Sequence, residues 1–302
     1  MKITCVVIAY RSEDVLEGCL RSIAANDGPL GRIVVIDNTV GGGLGPIVSS
    51  FGGRVELVEN AKNIGFAAAV NQGLNISLQD RAQYTLILNA DVILEKDALA
   101  NLLCCAESSP DIGLTGFRVI DGSPPADKAF DEVGEDCAQT PWTIGCGMLI
   151  PARTLLAAGY FDEFLFMYNE ETDFIWRLRR SGLRLVKANR AVLYHIGEHS
   201  SSKRKSVSYY YKTRNIFYFA KKHFHDHGPG KSFDYITSYL SKIFWFPMHP
   251  MRFLAYAVGI ASGIWIYLFK KPLDYELIHN KDMTSSGFDT KSHVQQQSSL
   301  NA

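Results

Sequence analysis

Three stretches, "ITCVVIAY" (3–10), "RIVVIDN" (32–38) and "YTLILNADVIL" (84–94), run apolar and β-branched with few breaks instead of alternating with polar residues. Such runs suit strands covered on both faces, and a doubly covered sheet needs helices above and below it. The intervening segments supply them. After Ser12, placed to cap a helix, Val15, Leu16, Cys19, Leu20 and Ile23 fall on one stripe. "VELVEN" is a short third strand, and "NIGFAAAVNQGLNIS" leads from a loop into an Ala-rich helix. The alternation predicts an α/β fold on a mostly parallel sheet, with "YTLILNADVIL" as the fourth strand.

In sheets of this kind ligands collect beyond the carboxyl ends of the strands. Tyr10, Asp37, Asn63 and Asp91 all fall at those ends or just past them. Asp91 interrupts an apolar run, where an acid is costly unless something pairs with it. As a turn or cap residue it needs no ligand; as a cation ligand it would be neutralised by Mg2+ or Mn2+, which favour oxygen donors. The N–H groups at the start of the Ala-rich helix are placed to face an anion, with Gly65 permitting close approach. The alternative is a plain packing helix.

Two acidic and imidazole signals lie further on. "YNEETDF" (168–174) puts Glu170, Glu171 and Asp173 at a helix N-terminus. The macrodipole favours acids there and also keeps a general base ionised. His195 follows the apolar "AVLY" and reads either as a structural histidine or as a metal ligand or proton carrier.

Composition narrows the classes. Lys+Arg and Asp+Glu are both 31 in 302 residues, so no global field points to nucleic acid. Acids gather before about residue 175 and bases between Arg177 and Lys222. The six cysteines show no CxxC spacing, and the expectation is six reduced thiols in a reducing cytoplasm. "MKITCVVIAY" reads directly as a strand and not as a signal peptide.

In this order, "VVIAYRS", "VVIDN", "NIGFAAAVNQG", "LILNADV", "GCGMLIPA", "GYFDEFLFMYNEETDFIWRLRRSG" and "YHIGEHSSSK" resemble the inverting family 2 glycosyltransferases of the GT-A fold, especially rhamnosyltransferase-like members. The likeness spans Val6 to Lys203. It implies that Ala9, Tyr10 and Asp37 meet the nucleotide, with Asn63, Gly65 and Asn71 near the nucleotide-sugar. It implies that Asn89-Ala90-Asp91 stands where the family has D-x-D, so that Asp91 holds a Mg2+ or Mn2+ on the donor diphosphate. Asn89 is a weaker, neutral ligand than the acid it replaces, and His195 matches a histidine that completes the metal site in some members. The catalytic base falls on Glu171, with Glu170 and Asp173 as the other candidates. The implied donor is a nucleotide-diphosphate sugar, dTDP-rhamnose favoured, and the acceptor a saccharide or lipid-linked saccharide in surface polysaccharide synthesis. A nucleotidyltransferase would carry a Gly-rich basic loop after the first strand, which "AYRSEDVLEG" lacks. A non-catalytic nucleotide-sugar-binding protein is the remaining alternative, suggested by Asn89.

These readings divide the chain into a catalytic domain over 1–205, an aromatic, basic and apolar helical segment over 206–271, and a polar, disordered tail over 272–302. Phe253 to Phe269 is 17 residues without a charge, bounded by Arg252 and by Lys270-Lys271. That length is at the lower edge of a membrane span. With "YYYKTRNIFYFAKKHF" before it, the expectation is peripheral attachment to the cytoplasmic membrane face. A true membrane span and a homo-oligomer contact are the other readings of this segment.

Overall fold

The structure is a computed structural model describing residues 3–125, 135–197, 205–224, 229–244 and 250–270. The polar sequence "DGSPPADKAFDEVGEDC" (121–137) is therefore described only at its ends, and most of "GEHSSSK" and the tail from 271 lie outside the described residues.

The chain runs β1 (Ile3–Ala9), α1 (Leu16–Ala24), β2 (Leu30–Asp37), α2 (Gly45–Ser49), β3 (Val55–Glu59), α3 (Phe66–Gln79), β4 (Tyr84–Asn89) and β5 (Val92–Leu94). It continues with α4 (Ala98–Glu107), β6 (Ile112–Asp121), β7 (Cys137–Gln139), β8 (Gly147–Pro151), α5 (Ala152–Ala158), α6 (Glu170–Arg180) and β9 (Arg184–His195). Three helices close it: α7 (Lys205–Phe224), α8 (Pro229–Phe244) and α9 (Pro250–Phe269). The sheet order is β3-β2-β1-β4-β8-β6-β9-β5, with β7 on β9.

All seven residues of β1 are buried, as a doubly covered strand requires. Its side chains alternate between two cores. Cys5, Val7 and Ala9 pack with Leu16, Leu20 and Ile23 of α1, while Val6 and Ile8 pack with Ala67, Val70 and Leu74 of α3. The second core also takes Tyr160, Phe161, Phe174 and Leu178 from around α5 and α6. Gly73 lies where any Cβ would collide with Val6, which is what lets α3 lie so close to β1.

Several expectations need correction. The sheet is mixed: β1, β2, β3 and β4 are parallel, but β8 runs antiparallel to both β4 and β6, and β5 antiparallel to β9. "YTLILNADVIL" is two strands, because the chain turns at Ala90-Asp91 and β5 leaves β4 to pair with β9. Strand β8 begins at Gly147, and the stretches "RLVKANR" and "AVLYH" form the single β9. Ser12 does not cap α1 with its side chain; its hydroxyl accepts from Tyr10 N, and its carbonyl accepts from Val15 and Leu16. Cys105 on α4 and Cys137 on β7 are joined in a disulfide, their Cα atoms 5.5 Å apart, because both elements pack on β9. Cys5, Cys19, Cys104 and Cys146 are free, as expected.

Candidate functional site

The carboxyl ends of β1, β2 and β4 meet at one edge of the sheet. Asn38 N donates to Ala9 O at 2.9 Å, and Ala90 N donates to Ile8 O at 3.1 Å, so the three strand ends are stitched together. Asp37 is fully buried at the end of β2. Its Oδ1 accepts from Thr39 N at 2.7 Å, while Oδ2 has no hydrogen-bond partner within the protein. A buried carboxylate oxygen without a donor is costly, so this atom marks a place for a ligand donor such as a hydroxyl. Tyr10 starts the turn after β1 and lies under the Arg11 guanidinium, 5.5 Å from its ring centroid.

Beside Asp37, Asn38 Nδ2 donates to Gly65 O at 3.0 Å, and Asn63 Oδ1 accepts from Gly65 N at 2.9 Å. Gly65 has φ +92°, and a Cβ there would lie 2.6 Å from the Phe166 ring. Only glycine meets both demands. The start of α3 differs from the expected anion site: Phe66 N and Ala67 N both donate to Phe166 O, at 2.6 and 3.3 Å. Asn71 is likewise engaged inside the protein. Its Nδ2 donates to Phe161 O and Glu163 Oε1, and its Oδ1 accepts from Phe161 N, each at 2.9 Å. It ties α3 to the segment before α6.

At the β4–β5 turn, Asn89 N donates to Cys146 O at 3.0 Å, while Asn89 Oδ1 is buried with no partner within the protein. The Asp91 carboxylate lies 3.5 Å from His195 Nε2. Asp91 O accepts from Ile196 N, and Val92 pairs with His195 across β5 and β9, so backbone bonds set this side-chain pair. The Asp91 carboxylate holds the His195 imidazole above its usual range, against the effect of burial. Asp121, at the end of β6, brings a second carboxylate to 3.8 Å from His195 Nδ1. Sequence reading missed it; pairing of β6 with β9, which registers Asp121 against His195, is what brings it in.

Among the described residues no three His, Cys, Asp or Glu side chains converge as a closed metal cage. The donors present are an orphaned amide oxygen, two carboxylates and an imidazole. This oxygen-rich, incomplete set fits Mg2+ or Mn2+, which commonly take further ligands from substrate phosphates.

The three acids of α6 separate sharply. Asp173 is buried with two cationic partners, Arg177 Nε at 2.9 Å and Lys222 Nζ at 2.8 Å, and a hydrogen-bonded imidazole, His223 Nε2 at 2.8 Å, whose proton affinity burial lowers. Burial alone would raise its pKa, but Arg177, Lys222 and the hydrogen bond to His223 outweigh it and hold the group well below the usual carboxylate range. It binds α6 to α7 and is not free to take a proton. Glu170 is buried, its Oε2 lacks a partner within the protein, and burial followed by the neighbouring Glu171 charge pushes it well up. Glu171 is also pushed up by burial, opposed by Thr172 and Lys212, and it is partly open to solvent. Its Cβ and Cγ lie within 3.8 Å of where a Gly145 side chain would begin, and the next residue, Cys146, holds Asn89. Glu171 and the Asn89–Asp91 turn therefore flank one short segment, 145–146.

Three left-handed non-glycine residues lead into α6: Phe166, Tyr168 and Asn169, with φ of 64°, 66° and 69°. Such backbone persists where its surroundings over-determine it. Phe166 fills the space above Gly65, and its carbonyl caps α3, so this loop joins the Asp37 side of the edge to the Glu171 side.

Residues 4–150, just under half of the chain, match the model of the glycosyl transferase family 2. A curated relative, the low-salt glycan biosynthesis hexosyltransferase Agl10 of Haloferax volcanii, is 23% identical over 197 residues, 60% of this chain. The chain spans 62% of that relative's length. Among solved structures, the mannosyltransferase PcManGT of Pyrobaculum calidifontis in complex with GDP-Man and Mn2+ aligns with a TM-score of 0.56 at 16% identity, over 95% of this chain and 86% of that one. S. aureus TarS aligns at 0.55 and 18% identity, over 82% of this chain but 44% of TarS. A shorter TarS in complex with UDP-GlcNAc aligns at 0.54 and 16% identity, over 95% and 80%. At these identities the likeness establishes the fold: a mixed α/β sheet of the GT-A type.

Proposed function

On the premise of the family 2 match over residues 4–150, we propose that this chain is an inverting glycosyltransferase that moves a sugar from a nucleotide-diphosphate donor to an acceptor hydroxyl. The observation that supports this most is the junction of Glu171 and the Asn89–Asp91 turn on either side of Gly145-Cys146. It brings a proton acceptor and an oxygen-donor set to one rim, as displacement at a sugar carbon requires.

Ala9, Tyr10, Asn63 and Gly65 line the nucleotide side, and Asp37 Oδ2 accepts a ribose hydroxyl. Asp91 and His195, with Asn89 Oδ1, would hold a Mg2+ or Mn2+, which when bound would supply Lewis-acid chemistry for a diphosphate leaving group. Glu171 removes the acceptor proton. Its raised affinity for a proton, caused first by burial, brings it closer to working pH, where a general base is most effective. Glu170 holds its proton more firmly and does not compete for this role.

The favoured sugar is rhamnose from dTDP-rhamnose. GDP-mannose and UDP-GlcNAc, carried by the similar structures, are the other donors to test. The acceptor is a saccharide or lipid-linked saccharide of a surface glycan. Attachment of α9 to the cytoplasmic face of the membrane brings the site to such an acceptor.

Glu171→Gln removes the proton acceptor and leaves the donor pocket intact. Nucleoside diphosphate release should fall about 100-fold or more, the scale of lost general-base catalysis, while donor affinity measured by calorimetry holds. Activity within a few-fold of wild type would move the base elsewhere. Release of pyrophosphate in place of nucleoside diphosphate would support the nucleotidyltransferase reading.

A further inference from the structure

The loop that ends at the base carries three left-handed residues in four, and local sequence does not explain why they stay there. The grip comes from α7, in a part of the chain beyond the family match. Asn215 is fully buried. Its Nδ2 lies 2.9 Å from Leu165 O, 2.9 Å from Met167 O and 2.7 Å from Tyr168 O. Its Oδ1 accepts from Arg214 Nε at 2.8 Å, which orients the amide. Arg214 Nη2 reaches Phe164 O and Leu165 O at 2.8 and 3.1 Å. Two adjacent side chains of one helix thus hold four successive-turn carbonyls of the segment that sets where α6 begins.

We propose that Asn215 is a positioning residue for Glu171: by holding the carbonyls of Leu165, Met167 and Tyr168, it fixes the left-handed entry to α6 and hence the place of the proton acceptor. This rests on the transferase reading only for the role of Glu171, not for the restraint itself. Tyr168 and Asn169 immediately precede Glu170, and Asn169 O takes the N–H of Asp173, so a shift in the loop is passed directly to the first turn. The groups facing Glu171 are Glu170 on its own helix, Lys212 on α7, and Tyr235 and Tyr239 on α8. Freeing the loop admits water to this enclosure. Since burial is the leading cause of the raised Glu171 value, hydration lowers it.

The test uses the full chain with Asn215→Ala and Asn215→Ser, the latter keeping one hydroxyl donor. Amide exchange read by mass spectrometry should accelerate about tenfold or more over residues 165–173 in Asn215→Ala and less in Asn215→Ser, with α1 unchanged, as expected for a local opening. In turnover with the donor that the wild type uses, kcat should drop about 10- to 100-fold, the scale of a displaced reacting group. Donor affinity should stay within about threefold, and the acid limb of the kcat profile should move to lower pH. Exchange that is unchanged, or that rises equally in α1, overturns the proposal, as does an unaltered kcat profile. If the wild type releases no nucleoside diphosphate from any donor but the local exchange response appears in the order Ala, Ser, wild type, the restraint stands and the transferase reading falls.

Discussion

Glu170, Glu171 and Asp173 read alike in the sequence, three acids in one helical turn, yet the fold assigns them three surroundings. Asp173 is neutralised by Arg177 and Lys222 and hydrogen-bonded to His223. Glu170 is enclosed with an oxygen left over. Glu171 alone opens toward solvent beside Gly145. No local pattern distinguishes these, because two of the three partners of Asp173 arrive from α7, about fifty residues on. Asp91 belongs to the same scale. Its neighbours His195 and Asp121 come from β9 and β6, and their proximity follows from strand register. Asp91→Asn keeps the shape and removes the charge. Manganese-dependent binding of a nucleoside diphosphate should weaken about tenfold or more in calorimetry, the scale on which metal-site substitutions act, with metal-free binding unaltered. Undiminished metal dependence would take Asp91 out of the site.

At the scale of elements, what the sequence made legible was what periodicity reports. The buried runs of β1, β2 and β4 and the stripe of α1 form where expected, because both faces of β1 need cover and the side chains supply it. The break at Ala90-Asp91 was not legible, since "ILNADVIL" is apolar on both sides and only the competing partner β9 turns it. The mixed sheet was hidden for the same reason: strand direction depends on connections, not on composition. The anion-binding start of α3 failed because a distant carbonyl, Phe166 O, satisfies those N–H groups first. The join between α6 and α7 has a measurable consequence. Asp173 is held below its usual range, so its contribution to stability is full above the unfolded value of about 4 and fades as pH falls below it. Asp173→Asn leaves Arg177 without its anion in a buried place and Lys222 with Asp162 alone, a loss of about 3–5 kcal/mol for a broken buried pair. Denaturant melts should show that gap at pH 7 and a narrower one at pH 3. A gap that does not change with pH would mean the network contributes packing and not charge.

At the scale of the molecule, α7 packs against the loop into α6, and α9 leaves an apolar surface exposed. Helix α9 packs on α7 through Gly259 and Gly263, where a Cβ would run into Thr213 and Phe217. The opposite flank presents Phe253, Leu254, Val258, Ile264, Trp265 and Leu268. Apolar exposure of that extent marks a surface made to be covered, and Arg252 and Lys270 at its ends suit anionic headgroups. Replacing Trp265 and Leu268 together by Asp should cut sedimentation with phosphatidylglycerol vesicles at least about tenfold, given about 1.5–3 kcal/mol for each buried side chain. Equal sedimentation would leave the flank to a second copy of the chain, to be read from the mass in solution.

The turn between β4 and β5 has one more implication. Its upstream strand is bonded to β1 and β8, its downstream strand to β9, and the Asp91 carbonyl is bonded to Ile196. A corner moored to both halves of the sheet is a fixed frame. If the proposed cation binds there, side-chain rotation and not movement of the turn is what would admit it.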